Sequence, residues 1–311
     1  MIDLIIPFYK NKDALLTTLL SVNFDVFEVT VVEDGSNVAF DLTHEFPFRL
    51  IWLEENQGPG MARQVGINNT KNPYLMFIDA GDIFVSREVQ KDIPKRAQQF
   101  DYSNMIVWPY YYNNELTPQS DNRMHGKLYK RSFLEKFHIT FCPEGSYINE
   151  DIGFNRACRI ITRAYREPIV FMNEPALLYW VKDENSLSQR DNNAMRYRQQ
   201  TFGLAMNSIH CIETLRENGL DLSAIDEIHQ IAAAMYYWYI QTVANRPEYK
   251  EEAFCGAKIF YKKFAKEINK DSLALSPEHL MECVKLRSEG KLPFAINIKK
   301  FYNDIMGGVS K

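Results

Sequence analysis

The first half of the chain alternates short apolar runs with stretches that repeat at helical spacing. Residues 2–7 read as a buried strand, and Leu15, Leu16, Leu19 and Leu20 follow on one helical face. A second apolar run over residues 26–32 ends in Glu33-Asp34-Gly35-Ser36. Residues 50–53 predict a third strand and residues 61–69 a helix. Residues 74–78 predict a fourth strand that ends in Asp79-Ala80-Gly81-Asp82. Strand and helix in alternation imply a mostly parallel sheet covered on both faces. In such sheets ligands bind outside the carboxyl ends of the strands, where both acidic turns fall.

From about residue 90 to 180 the pattern is mixed, with shorter strands and one clear helix from 151 to about 163. Beyond residue 191 the strands stop. Residues 197–215, 223–243, 251–268 and 278–287 read as helices, with breaks at Asn218-Gly219 and Pro247. The expected organisation is an α/β domain over residues 1–190 and an all-α region over 191–311. Ile225, Ile228, Ile231, Ala232, Met235, Trp238 and Tyr239 form a stripe that predicts core packing among these helices. An acceptor surface or an oligomer contact is the other use for this region.

Composition narrows the class. The 311 residues are 46% hydrophobic and 24% charged, enough to bury a core without staples. A formal net charge of -4 gives no general attraction to phosphate backbones or anionic membranes. Cys142, Cys158, Cys211, Cys255 and Cys283 contain no CxxC pair, so reduced thiols in a cytoplasmic location are expected. The run at residues 2–7 is too short for a signal sequence. No stretch approaches the roughly 20 apolar residues that span a bilayer.

Candidate chemistry sits in the turns. Asp79 and Asp82 can share a hard cation such as Mg²⁺ or Mn²⁺, or simply stabilise a turn. Asp34 can accept from a nucleobase N–H or a ribose hydroxyl, or cap an Asx-turn. Asn56-Gln57-Gly58-Pro59-Gly60 feeds a helix bearing Arg63, an arrangement that lets backbone approach an anion. Arg63 can reach a nucleotide or brace Asp34 or Asp79. Glu150 and Asp151 open a helix, as general-base candidates or as ordinary helix-start carboxylates. His125 can sit beside a metal, and Lys127 beside a diphosphate. Trp108, Tyr110 and Tyr112 form an aromatic run suited to stacking on sugars or bases, or to a buried strand edge.

Taken in order, these segments resemble the GT-A fold of family 2 glycosyltransferases over roughly residues 1 to 190. Ile5-Ile6-Pro7-Phe8-Tyr9 resembles the opening strand and turn, which implies nucleotide contact at Pro7 and Tyr9. Val31-Val32-Glu33-Asp34-Gly35-Ser36 is similar to the second-strand motif and implies that Asp34 meets the base. The stretch from Glu55 through Gly58 and Arg63 to Ile67 resembles the glycine–arginine loop and helix. Phe77-Ile78-Asp79-Ala80-Gly81-Asp82 resembles the metal-binding segment, but Gly81 stands where the family carries an acidic residue. Asp82 then becomes the direct ligand, with Asp79 on ribose or metal-bound water. Lys127-Leu128-Tyr129-Lys130-Arg131-Ser132 and Glu150-Asp151-Ile152-Gly153-Phe154 match later segments, and the resemblance implies that Asp151 is the base. Tyr179-Trp180 through Asn185-Ser186-Leu187-Ser188 is similar to the closing strand and loop, with Ser188 near the diphosphate. The implied activity is inverting transfer of a sugar from a nucleotide donor, most simply a UDP-sugar, with Mn²⁺ or Mg²⁺. A glycan acceptor is favoured. Hydroxymethylated pyrimidines in DNA are an alternative, resting on Arg123, Lys127, Lys130 and Arg131 as exposed cations. A non-catalytic nucleotide- or glycan-binding protein is the alternative of another class.

Overall fold

β1 (Ile2–Phe8) is buried at every position, so its apolar run shows no alternation, as a central parallel strand requires. In this computed structural model, which describes residues 1–36, 38, 42–112, 114–117, 123–145, 147–173, 175–180 and 194–307, β1 leads into α1 (Lys12–Ser21), β2 (Phe27–Asp34), β3 (Phe48–Leu53), α2 (Pro59–Asn68) and β4 (Tyr74–Phe77). Then come β5 (Ile83–Phe84), α3 (Arg87–Gln99), β6 (Met105–Val107), β7 (Tyr110–Tyr112), β8 (Glu115–Thr117) and β9 (Lys127–Lys130). Helices α4 (Arg131–Lys136) and α5 (Glu150–Ala164) and strands β10 (Ile169–Phe171) and β11 (Leu178–Trp180) complete the first of two units, Met1–Arg190.

A seven-stranded sheet runs β10-β6-β9-β4-β1-β2-β3, and a four-stranded one runs β5-β11-β7-β8. Strands β3, β2, β1 and β4 are parallel, whereas β9 is antiparallel to both β4 and β6. The register sets Phe8 opposite Glu33 and Asp34 opposite Leu53, so the carboxyl ends of β1, β2 and β3 lie side by side. Ile78 N–H still donates to Ile5 C=O, and Asp79 leaves the sheet just beyond it.

Helix α3 departs from the mixed pattern expected there. Pro94 inside it breaks the helical signal, while Ser86 caps its start by accepting from Val89 N–H. The fully buried Gln90 fastens it to the end of α1. Its amide donates to the carbonyls of Ser21 and Ser86 and accepts from Asn23 N–H.

The second unit, Asp191–Lys311, contains α6 (Ala194–Glu217), α7 (Asp221–Asn245), α8 (Lys250–Lys263), α9 (Pro277–Ser288) and α10 (Ile298–Gly307). Ile228, Ile231, Ala232 and Met235 of the expected α7 stripe are buried, and the core face is displaced only at its edges. Tyr236 is buried, whereas Ile225 and Trp238 are 37% and 38% exposed. The Tyr236 hydroxyl explains part of the shift, because it accepts from Asn297 N–H in the segment before α10. The helix expected to reach residue 268 ends at Lys263, and α10 lies beyond the four helices expected here. No described helix is long and apolar enough to cross a membrane.

Candidate active site at the carboxyl ends of the strands

The turn after β4 is closed by Asp82 N–H donating to Asp79 C=O at 3.0 Å. Gly81 adopts a φ of 109° within it, a left-handed conformation that L side chains rarely take. Thr18, fully buried on α1, holds the turn from below: its hydroxyl accepts from Gly81 N–H at 2.8 Å and donates to Asp82 C=O at 2.8 Å. Three residues on, the Ser21 hydroxyl accepts from Phe84 N–H at 3.1 Å. Thr18 carries no signal in the sequence, because its role depends on a partner 63 positions away.

Asp82 is buried, and its Oδ2 lies 3.2 Å from Nε2 of His125. One ligand atom from each of Asp79, Asp82 and His125 falls within 4.8 Å of the others. Two carboxylates and an imidazole suit Mn²⁺, and the carboxylates suit Mg²⁺, so the donor set fits the cation expected from the sequence. The Tyr110 ring packs 5.2 Å from the His125 ring and backs it.

Arg63 joins this turn to α5. The residue is 2% exposed, and its guanidinium donates through Nη1 to Glu150 Oε1 at 2.7 Å and through Nη2 to Asp79. It rests 6.0 Å over the Phe141 ring, which stacks on Phe154 at 4.2 Å with Phe77 edge-on to both. The cation is therefore fixed by aromatic packing on one side and two carboxylates on the other. Burial would lower its pKa, but Asp79 and Glu150 outweigh that and keep it charged. Burial raises the Asp79 carboxyl, yet Arg63 and His125 prevail and the net shift is downward. For Glu150 burial wins over Arg63, and the shift is upward.

Asp151 follows Glu150 in the first turn of α5, where the helix dipole favours acidic groups. Burial raises its pKa against the opposing charges of Arg63, His125 and Lys127. Its carbonyl accepts from the Asn155 amide at 2.9 Å, and Asn155 in turn accepts from the Tyr129 hydroxyl at 2.6 Å.

On the other side of β1, Asp34 ends β2 and is buried. Its two oxygens accept from Gln57 N–H at 2.7 Å and Gly58 N–H at 2.9 Å, at the start of α2. The carboxylate thus shapes the glycine loop. Tyr147, also missed from sequence, donates its hydroxyl to Asn56 C=O in that loop at 2.7 Å. Pro7 is buried in β1, and the half-buried Tyr9 follows it with the Lys10 ammonium 4.7 Å from its ring.

Trp108 and Tyr110 were expected to face an acceptor, but they are 3% and 1% exposed and pack in the core. The aromatic run lies where the sheet buries its rings. Tyr112 remains half-buried. Lys127, expected beside a diphosphate, does not reach out from the fold. It is fully buried instead, donates to Arg123 C=O, and acts electrostatically on Asp151. Arg131 is buried on Asp3, and Lys130 pairs with Asp101, so the expected run of exposed cations does not form. Ser188 lies outside the described residues.

Residues 3–157, about half of the chain, match the family model described as Glycosyl transferase family 2. An uncharacterized glycosyltransferase of Haemophilus influenzae is 34% identical over 114 residues, covering 35% of this chain and 38% of that one. Glycosyltransferase GlyA of Streptococcus pneumoniae is 27% identical over 145 residues, 44% of this chain and 20% of that one. The matched segments thus span well under half of these relatives. Among solved structures, residues 1–349 of S. aureus TarS in complex with UDP-GlcNAc align with a TM-score of 0.65 at 18% identity, over 99% of this chain and 92% of that one. The same protein with UDP aligns at 0.51 and 18% identity, over 86% and 92%. At such identities the likeness is one of fold.

Proposed function

Because the chain belongs to glycosyl transferase family 2 and carries its GT-A fold, we propose that it transfers a sugar from a nucleoside diphosphate donor, most simply a UDP-sugar, to a hydroxyl of a glycan acceptor with inversion. The observation that carries this reading is the buried Arg63, which ties the Asp79–Asp82 turn to Glu150, the neighbour of Asp151 at the start of α5. A chain that needed these carboxylates only as turn formers would have little reason to bury a cation between them.

The nucleotide lies against Tyr9 and the Asn56–Gly58 loop that Asp34 holds in shape. Asp79, Asp82 and His125 are the residues that would hold Mn²⁺ or Mg²⁺, which when bound supplies positive charge to the leaving diphosphate. Asp151 accepts the acceptor hydroxyl proton while that oxygen bonds to the anomeric carbon. The bond from that carbon to the diphosphate breaks on the opposite face, and the diphosphate leaves with the electron pair. A raised pKa suits Asp151 to this duty, since a more basic carboxylate is a better proton acceptor. Glu150 and Arg63 orient it without touching the acceptor.

Transfer from UDP-sugars, followed with and without Mn²⁺, tests this with Asp151→Asn. Transfer should fall by roughly 10²–10⁴-fold, the usual contribution of a general base. UDP binding should stay within a few-fold. Undiminished transfer would remove Asp151 from the mechanism, and absence of UDP binding in the parent protein would remove the donor assignment.

A further inference from the structure

Helices α6 and α8 of the second unit enclose a groove of about 340 Å³. They meet at Gly256, where an added Cβ would lie 2.4 Å from the Thr201 Cβ, so only glycine permits this approach. Arg198, Lys258 and Lys262 line the groove, and among the described residues none of the three forms an ion pair. Neighbouring cations on these helices do: Lys263 meets Glu213 at 2.6 Å and Arg216 meets Glu267 at 3.1 Å. Pairing was thus available nearby and is withheld from the groove.

Two further side chains qualify what the groove accepts. Phe202 leaves its ring 41% exposed on the wall. Glu252, half-buried in the same lining, has a buried Oε2 with no hydrogen-bond partner among the described residues, a costly arrangement unless a ligand supplies a donor.

We propose that this groove binds an anionic glycan, a sugar chain bearing phosphate or carboxylate groups. Anionic groups meet Arg198, Lys258 and Lys262. A sugar hydroxyl donates to Glu252, and the C–H face of a ring packs on Phe202. One carboxylate among three cations disfavours a ligand charged at every unit. It favours charges spaced by neutral, hydroxylated sugars. The choice of a sugar chain over an acidic peptide rests in part on the glycosyl-transfer reading, and the test separates the two.

The full chain is titrated calorimetrically with a phosphorylated dextran oligosaccharide, the unmodified dextran of equal length, and polyglutamate. A separate titration with UDP reports on the first unit. The phosphorylated chain should bind at least tenfold more tightly than either comparator. Combined Arg198→Ala, Lys258→Ala and Lys262→Ala should weaken it tenfold or more, and Phe202→Ala severalfold, with UDP binding unchanged. Cys255, exposed in the same lining, gives a readout in the unaltered protein: the phosphorylated chain should slow its alkylation severalfold. Equal affinity for polyglutamate would assign the groove to acidic peptides and overturn the proposal. So would equal affinity for neutral dextran, an unaffected triple variant, or unprotected Cys255. Loss of UDP binding alone would sink the donor reading and leave this one standing.

Discussion

Two buried arginines sit at opposite ends of the same sheet and are treated differently. Arg131, at the amino ends of β1 and β4, makes four hydrogen bonds through all three of its nitrogens. Nε donates to Asn72 C=O at 2.8 Å, Nη1 to Ile67 C=O at 2.9 Å, and Nη2 to Asp3 at 2.8 Å and Thr70 at 2.7 Å. Arg63, at the carboxyl ends, bonds two carboxylates, and its buried Nε has no hydrogen-bond partner among the described residues. Every donor of the first that is described ends on the scaffold. The described hydrogen bonds of the second go only to Asp79 and Glu150, groups that chemistry could use. Burial of charge is costly at either end, so the difference in partners, more than burial, separates the structural Arg131 from Arg63, to which the proposed function gives a working role.

The largest expected effect is on the structural side. Arg131→Met leaves the Asp3 carboxylate, 1% exposed, without its cation. Breaking a buried pair from one side costs about 3–5 kcal/mol. Urea unfolding should register that loss, while the kcat of the protein that remains folded stays near the parent value. A kcat that collapsed along with stability would erase the distinction between the two arginines.

Arg63→Lys makes the opposite prediction. Lysine keeps the charge but cannot fork between Asp79 and Glu150. A displacement on the order of 1 Å at a reacting group costs about 10²-fold. Transfer should fall by that order, with a much smaller change in unfolding midpoint. If stability dropped as far as for Arg131→Met and kcat held, Arg63 would be a second structural cation.

Thr18→Val is a smaller perturbation at the same end of the sheet. It keeps the shape and removes the hydroxyl that serves both Gly81 N–H and Asp82 C=O. Leaving such groups unsatisfied costs about 1–3 kcal/mol. The specific readout is the Mn²⁺ concentration needed for half-maximal transfer, which should rise roughly tenfold, about 1.4 kcal/mol. Thr18→Ser should restore it. A shift in stability without a shift in metal requirement would make Thr18 a packing residue only.

What was legible in the sequence follows from the same physics. Central parallel strands are apolar on both faces, so β1, β2 and β4 stand out as runs, and each acidic turn marks a carboxyl end. Asp79, Asp82 and His125 were singled out by type and position, and the fold brings their ligand atoms within 4.8 Å. Thr18 and Tyr147 were invisible because their partners lie 63 and 91 positions away. Pattern alone cannot rank a threonine in an apolar helix above its neighbours. The aromatic run misled because adjacent rings do not say which side of a strand meets water, and Trp108 and Tyr110 turn inward. In α3 a proline hid a helix that Gln90 secures by side-chain bonds.

Gly81 sharpens the comparison by the smallest step. Its family position is acidic, so restoring a carboxylate there looks like a route to tighter metal binding. The backbone argues otherwise. Among the described residues a Cβ at Gly81 would meet only the Ala14 Cβ, at an ordinary 3.7 Å, so space is not the obstacle. The φ of 109° is, and a side chain there costs about 1–2 kcal/mol of strain. Gly81→Ala and Gly81→Asp should therefore lose similar stability, and Gly81→Asp should not lower the Mn²⁺ requirement. Equal losses would mean that the turn presents Asp82 and His125 to the cation while position 81 serves only to bend the chain over Thr18. A tighter metal requirement in Gly81→Asp would mean that the turn can re-form around a new ligand. The carboxyl end of the sheet would then be the adaptable end of the molecule, in contrast to the fixed cradle around Arg131.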